Sequence, residues 1–322
     1  MIRKFATALT LACLSTGVLA DDYPSRAITL VMPYAAGGPG DTLARIVAQG
    51  MSKSLGKPIV IENIAGAGGT IGSAQVAGAK PDGYTLLINH ISHATNPTLY
   101  RKLRYDTLKD FEPIGLVADL PMAFVAKKSF PAKEFAELIQ YVKVNKEKVT
   151  YGHAGIGSAS HLCGLMFFSA IQTQVTTVPY KGSGPAMNDL LGGQIDFMCD
   201  QTINVISPIK SGAVKPYAVT SPQRTASLPD LPTADEAGLK SFQLNIWYGM
   251  FAPAGTPKPV IDKIVAALNA SLRDPDVVSK LEGLGAIPAA PERVNPGPLQ
   301  AHVKAEIDRW APVIKAAGVY AE

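Results

Sequence analysis

The sequence predicts an α/β protein with largely parallel sheets. Short apolar, β-branched runs alternate with helical patterns along the chain, which is typical of that class. The predicted strands are Ala27–Met32, Pro58–Glu62, Thr85–Asn89, Thr150–His153, Thr176–Pro179, Ile195–Cys199 and Lys215–Val219. Between Val260 and Leu272 the apolar residues recur with helical spacing, which indicates a helix packed on a core.

The chain length predicts two domains. A chain of 322 residues can bury a large core, and chains of this size commonly divide. A polar passage at 106–112 and a polar, proline-bearing passage at 220–232 interrupt the alternation and are interpreted as two crossings between lobes. We predict one lobe from residues 21–120 plus 223–322, and a second lobe from the continuous insert 121–222.

The first twenty residues predict export. Arg3 and Lys4 precede an apolar stretch that is too short to span a bilayer comfortably, and Val18-Leu19-Ala20 is a small-residue cleavage site. We expect a signal peptide at 1–20. A weaker alternative is a lipoprotein site ending at Cys13, which would leave that cysteine acylated.

Net charge and cysteine content bear on which partners and which bonds the protein could have. Without residues 1–20 the chain has 28 basic and 26 acidic residues, a net charge of +2, so the sequence gives no reason to expect nucleic acid. Cys163 and Cys199 remain, and an oxidising compartment favours a disulfide between them, the alternative being two buried thiols. No CxxC or HxxxH companion supports a metal site, and no cofactor is predicted.

A glycine-rich turn, Gly37–Gly40, follows the first predicted strand and leads into a helix that should begin near Asp41. A helix N-terminus has unpaired N–H groups and partial positive charge, so the segment suits an anion. Asp41 is predicted to be the N-cap of this helix.

The segment from Tyr151 to His161 repeats this arrangement, with Ser158 or Ser160 capping a helix that runs to about Ile171. Two helix starts, one from each lobe, could hold the same carboxylate, with water completing its shell. The alternative is that both segments are tight strand-to-helix turns.

Three motifs that would indicate a nucleotide-binding site, a serine hydrolase or a zinc site are incomplete. The glycines of 64–72 do not form a dinucleotide fingerprint, because position 71 is Ile, and Thr70 is predicted to cap the next helix. Ser158 and His161 have helical spacing, but no GxSxG motif surrounds the serine, so no enzyme is predicted. His90 and His93 lack an HExxH frame, and they belong either to the cleft edge or to a buried core.

Several motifs in order carry a family resemblance: YPSRAITLVMPYAAGGPGDTLAR, VIENIAGAGGTIG, PDGYTLL, YGHAGIGSASHL, VPYKGSGPAMNDLLGGQIDFMCD and SLPDLPTADEAGL. Together they resemble the Bug family, the TctC-like substrate-binding proteins of tripartite tricarboxylate transporters, over the whole chain. The resemblance implies a periplasmic, type II, Venus-flytrap binding protein with a mainly parallel sheet in each lobe. It also implies large and small integral membrane subunits as partners, or else a signalling system, and we expect a monomer.

The resemblance further implies a carboxylate held by loops of both lobes with bridging waters. The implied contacts are Tyr34, Ala36, Gly37, Gly38, Thr70, His90 and Ser92 from the first lobe, and Ala154, Gly157, Ser158, Ser160, Tyr180 and Asp200 from the second. Cys163 and Cys199 lie in what resembles the disulfide-bearing part of the family.

Two of these second-lobe residues, Tyr180 and Asp200, keep alternative roles. Tyr180 either contacts ligand or packs below the cleft, and Lys181 is interpreted as a solvated surface charge. Asp200 should repel a carboxylate, so it would bind a ligand hydroxyl, amine or water, or else orient a loop.

The expected ligand is an aliphatic di- or tricarboxylate or an aromatic carboxylate. The lack of basic residues in the loops favours mono- or dicarboxylates over citrate. The alternative from another class is a secreted hydrolase acting on a carboxylated substrate.

Overall fold

The computed structural model describes residues 23–321. The predicted signal peptide and the alternative acylation site at Cys13 lie outside the described residues. Among those described, no helix has both the length and the apolar character needed to cross a bilayer.

The described chain alternates strands and helices as predicted. The strands are β1 (Ile28–Met32), β2 (Ile59–Asn63), β3 (Thr85–His90), β4 (Phe111–Lys127), β5 (Thr150–His153), β6 (Thr176–Pro179), β7 (Phe197–Gln201), β8 (Val214–Val219), β9 (Asn245–Pro253) and β10 (Ile287–Pro288). The helices are α1 (Pro39–Leu55), α2 (Thr70–Ala77), α3 (Ser92–Leu99), α4 (Phe135–Val144), α5 (Ala159–Ile171), α6 (Ser183–Leu191), α7 (Thr202–Lys210), α8 (Lys258–Ser271), α9 (Pro275–Gly283) and α10 (Pro296–Ala317). All seven predicted strands are present, and the α/β class is confirmed.

The strand order is β2-β1-β3-β9-β4-β7-β5-β6, with β8 and β10 also pairing with β4. The pairs β1–β2, β1–β3, β5–β6 and β5–β7 are parallel, as expected. The sequence prediction missed β4 and β9, and both run antiparallel to their partners. The middle of the sheet is therefore the antiparallel pair β4 and β9. It lies between a first set of parallel strands (β1, β2 and β3) and a second set (β5, β6 and β7).

Strand β4 belongs to both sets of strands. Residues from Phe111 to Pro121 pair with β9, whereas those from Met122 onward pair with β7 and β8. The last two residues of the passage at 106–112, which is predicted as a crossing, already belong to this strand. Lobe division itself remains a prediction, although the change of partner after Pro121 marks where a crossing would lie.

Residues after β8 stay with the second set of strands. Leu228 and Leu231 are buried in the same apolar cluster as Val125 and Ile206, and the ring of Phe242 lies 5.6 Å from that of Phe124. This packing favours a second crossing between Phe242 and β9, later in the chain than the predicted boundary at 222/223.

Helix α1 packs closely on the strands that lead to it. Its buried face includes Leu43, Val47 and Met51, which recur every four residues. A side chain at Gly40 would come within 2.3 Å of the Met32 side chain. The glycine therefore lets the start of α1 lie directly against the end of β1.

A disulfide joins α5 to β7. Cys163 and Cys199 are both fully buried and bonded to each other, so the predicted bridge is confirmed. It fixes the helix that starts at Ala159 onto the strand that ends at Gln201.

Thr220 joins the chain segments on either side of the change of partner. Its hydroxyl accepts from Met122 N at 3.0 Å and donates to Leu244 O at 2.5 Å. Its backbone N–H and C=O pair with the same two residues. One fully buried threonine thus satisfies polar groups of both β4 and the segment before β9.

Replacing Thr220 by Val should destabilise the protein by about 1–3 kcal/mol, because the isosteric change leaves a buried N–H and a buried carbonyl without their partner. Chemical denaturation measures the free energy of unfolding. Thr176→Val, on the exposed edge strand β6, is the matched control and should stay within about 0.5 kcal/mol of wild type. Equal effects of the two changes would contradict the role assigned to the Thr220 hydroxyl.

Candidate ligand-binding site

A small cavity lies where β1, β3, β5 and β7 end and the following helices begin. Its lining residues come from both sets of strands, and most belong to the first turn of a helix or the last position of a strand. They are Met32, Tyr34, Ala35, Gly38, Pro39, Gly40, Asp41, His90, Ala154, Ser158, Ala159, Ser160, Ser183, Gln201 and Tyr248. We call this the inner cavity.

The start of α1 forms one wall of the inner cavity. Gly38 is the N-cap, and the first intrahelical bond runs from Thr42 N to Gly38 O. The N–H groups of Gly40 and Asp41 lie in the first turn, where no intrahelical acceptor exists for them. They are available to an anion in the cavity.

The predicted N-cap role of Asp41 is wrong. Its carboxylate lies in the first turn and accepts from Gly37 N at 2.9 Å, from Asn63 Nδ2 at 3.0 Å and from Arg45. Burial would raise the pKa of Asp41, but these hydrogen bonds and the arginine outweigh burial and hold the pKa below its usual value. The negative charge on this wall is thus already paired.

The start of α5 forms the facing wall. Ser158 is the N-cap, as predicted, and its Oγ accepts from His161 N at 3.2 Å. Ser160 Oγ accepts from Ala154 N at 2.9 Å and lies 3.2 Å from Ser158 Oγ. The bond between the hydroxyls uses one of their two hydrogens, so the other remains available to a ligand.

Three rings close the inner cavity: Tyr34 follows β1, His90 ends β3, and Tyr248 lies within β9. Tyr34 stacks on His90 with ring centroids 4.7 Å apart, and Tyr248 meets the edge of His90 at 5.4 Å. Burial lowers the pKa of His90 to about 3, so the imidazole is neutral. Its Nδ1 accepts from Ser92 N, which leaves Nε2 as the protonated nitrogen.

To an anion, the inner cavity offers helix starts rather than basic side chains. Among the described residues that line it, none is Lys or Arg, and the sole carboxylate is the paired Asp41. The features of this lining that suit an anion are therefore the starts of α1 and α5. Across residues 23–321 no three His, Cys, Asp or Glu side chains are grouped to hold a metal ion.

The structure brings six of the predicted contact residues together around the inner cavity: Tyr34, Gly38, His90, Ala154, Ser158 and Ser160. Seven others lie outside its lining. Ala36 and Gly37 are exposed, and Thr70, which opens α2 rather than capping it, donates to Ala67 O. Ser92 is buried behind His90, with its Oγ on Asn89 Oδ1.

The remaining three lie in the second set of strands. Gly157 N donates to His161 Nδ1 at 3.2 Å, and Tyr180 Oη donates to Asp189 Oδ2 at 2.7 Å. Asp200 is fully buried and accepts from Ser183 Oγ at 2.9 Å, so it positions a hydroxyl that does line the inner cavity. Burial raises the pKa of Asp200 to about 6, although donors from Asn204, Gln201 and Ser183 oppose the rise.

Sequence reasoning missed eight lining residues: Met32, Ala35, Pro39, Gly40, Ala159, Ser183, Gln201 and Tyr248. Ser183 opens a helix after β6, so the rule applied to Ser158 could have found it. Tyr248 lies on β9, which had not been predicted, and its hydroxyl pairs with Gln201 Oε1 at 2.9 Å. That pair crosses from one wall to the other.

Ser158 and His161 do not form a nucleophile–base pair. The serine hydroxyl meets the backbone N–H of His161, whereas the ring Nδ1 accepts from Gly157 N. Burial lowers the pKa of His161 to about 3.

A cavity that lies between two sets of strands and is lined by helix N-termini is the architecture of periplasmic binding proteins. A family model described as "Tripartite tricarboxylate transporter family receptor", TctC, matches residues 43–319. The chain belongs to this family of periplasmic solute-binding proteins.

Similarity to individual proteins supports this assignment. The periplasmic binding protein BugD is 51% identical, with a TM-score of 0.91 over 93% of this chain and 100% of that structure. MatC from Rhodopseudomonas palustris, solved with bound malate, is 42% identical, with a TM-score of 0.88 over 91% and 100%. An Agrobacterium vitis protein of the UPF0065 group, from the TAR-I ttuE-ttuC' intergenic region, is 48% identical over 92% of this chain and 86% of its own.

His93 belongs to the core rather than to the cleft edge. Its ring lies 4.3 Å from that of Phe251 and 4.8 Å from that of Phe111, and it is fully buried. Neither ring nitrogen has a hydrogen-bond partner within the described part of the chain. Burial lowers the pKa of His93 to about 3.

His93→Phe should therefore stabilise the protein more at pH 5 than at pH 8. In the unfolded chain His93 titrates near 6.5 and takes up a proton at pH 5, whereas the folded protein does not, so wild type loses stability as the pH falls below 6.5. Removing the group should widen the stability gap between variant and wild type by about 2 kcal/mol at pH 5 relative to pH 8. Denaturant unfolding at both pH values measures it, and a gap that is the same at both would contradict the buried, neutral state.

Proposed function

We propose that this chain captures a small carboxylate, such as malate, by holding one of its carboxylate groups in the inner cavity, and delivers it to the large and small membrane subunits of a tripartite tricarboxylate-type transporter. The observation that carries the proposal is that the starts of α1 and α5 face one cavity from opposite sides. A relative with 42% identity was solved with malate bound. The proposal includes export through a signal peptide at 1–20 and work in the periplasm as a monomer.

The donors favour a carboxylate over a neutral solute. Backbone N–H groups of Gly40 and Asp41 on one wall, and a hydroxyl of Ser158 or Ser160 on the other, all offer hydrogens. Such donors are strongest with an ionised acceptor. Because no basic side chain of the described chain lines the inner cavity, a mono- or dicarboxylate suits it better than citrate.

Capture works through closure of two lobes around the ligand. Three hydrogen bonds join the two sets of strands near the cavity: Tyr100 Oη to Ile156 O at 3.2 Å, Tyr248 Oη to Gln201 Oε1 at 2.9 Å, and Thr202 Oγ1 to Gly285 O at 3.1 Å. A ligand that contacts both walls favours the closed arrangement by its differential affinity for that state. The closed shape is what the membrane subunits would recognise.

Ser158→Ala should weaken malate binding by roughly 1–3 kcal/mol, or about 5- to 150-fold, because a buried carboxylate loses a donor. Isothermal titration calorimetry on the chain lacking residues 1–20 measures the affinity. The ligand recovered afterwards should be unaltered, whereas a converted product would support the hydrolase alternative. Wild-type protein that fails to bind any small carboxylate would overturn the proposal.

Asp274→Ala provides the control for lost capping. Asp274 is the N-cap of α9 and accepts from Asp276 N, as Ser158 does from His161 N, but it lies outside the inner cavity. Both variants should lose about 1 kcal/mol of stability. Only Ser158→Ala should lose malate affinity, and equal affinities in the two variants would remove Ser158 from the site.

Tyr100→Phe should lower malate affinity by about two- to tenfold, because closure then lacks one hydrogen bond of about 0.5–1.5 kcal/mol. Stopped-flow kinetics should assign the loss mainly to faster dissociation. Tyr141→Phe on α4 is the control, since no hydrogen bond of the Tyr141 hydroxyl is found within the described residues. An unchanged dissociation rate in Tyr100→Phe would mean that this bond does not hold the closed state.

A further inference from the structure

A second, larger cavity adjoins the inner cavity. It measures about 460 Å³, against about 20 Å³ for the inner cavity, which is room for little more than a water-sized group. Tyr34 and Ala154 line both, so the two spaces meet at these residues. We call the larger space the outer cavity.

The outer cavity has one wall from each set of strands. The turn 66–69, with Tyr100 and Tyr320, forms one side, and residues 154–156 and 179–181 form the other. The two walls meet where Tyr100 Oη donates to Ile156 O. A side chain at Gly68 would come within 2.2 Å of the same carbonyl oxygen, so this approach requires glycine.

Lys181 is the only charged side chain among the described residues that line the outer cavity. It is exposed, and no carboxylate in the described part of the chain lies within ion-pair distance of it. The neighbouring Tyr180 hydroxyl is already committed to Asp189 at 2.7 Å. The lining therefore offers one unpaired positive charge beside three aromatic rings, those of Tyr34, Tyr100 and Tyr180, with Tyr320 at the edge.

We propose that the outer cavity is a second subsite, which holds the distal carboxylate of a long dicarboxylate with Lys181 as its counter-ion. The inference rests on the proposed function, because the first carboxylate must occupy the inner cavity. That cavity is too small for the body of a ligand, so the methylene chain would leave it past Tyr34 and Ala154. Aromatic rings give that chain apolar contacts, and an ammonium group suits a carboxylate whose position varies with chain length.

Calorimetry with succinate, adipate and suberate tests the subsite, because these dicarboxylates share the same ends and differ only in methylene number. Lys181→Met keeps the length of the side chain and removes its charge. It should weaken suberate and adipate binding by about fivefold, the size expected of an ion pair at a solvent-exposed rim, and leave succinate unchanged. The suberate loss should also shrink in 1 M salt, which screens exposed charges.

Lys128→Met is the matched control. Lys128 is also exposed and follows β4 at the edge of the sheet opposite to Ala154, so it changes the net charge equally without touching either cavity. It should affect none of the three ligands. A Lys181→Met loss that is equal for all three, or absent for suberate, overturns the second subsite. Failure of wild type to bind succinate, malate or any longer homologue would instead overturn the proposed function.

Discussion

Backbone N–H groups at two helix starts, with no intrahelical acceptor, are the interaction on which the rest of the site depends. They lie opposite one another because α1 follows β1 and α5 follows β5, at the edge where these strands end. An anion between them satisfies donors on both sides at once. Any acid facing the same space would oppose it, and the one that does, Asp41, has its charge distributed over Gly37, Asn63 and Arg45.

That geometry requires the two sets of strands to hold a fixed relation, and β4 and β9 supply it. A single strand that changes partner after Pro121 carries the chain from one set to the other, and Thr220 ties its backbone to the returning segment. On the second side, the disulfide fixes α5 to β7, so Ser158 and Gln201 reach the cavity from elements that are covalently joined. The polar site is thus supported by buried, satisfied contacts one layer behind it.

The sequence predicted what local patterns encode. The seven strands, the helix start at Ser158 and the disulfide all follow from short-range signals, namely β-branched runs, a capping serine and cysteines in an oxidising compartment. It did not predict β4 and β9, whose long apolar runs are buried on both faces and so show neither alternation nor helical spacing. Tyr248 was therefore not predicted as a site residue, because it lies on β9. Asp41 was misassigned because an acid just after a glycine turn fits the N-cap and the first turn equally well, and only the backbone distinguishes them.

A protein that must release its ligand gains from binding it with neutral donors. Each of the three hydrogen bonds between the two sets of strands joins uncharged groups, and such bonds contribute about 0.5–1.5 kcal/mol apiece. Buried ion pairs in the same places would hold the walls together more strongly and would cost several kcal/mol to break. In the proposed capture by closure, such neutral contacts would leave the balance between open and closed states to the ligand, since a ligand shifts that balance by no more than its differential affinity. The inner cavity, as far as the described residues extend, has no basic side chain in its lining, which agrees with the reversible capture proposed above.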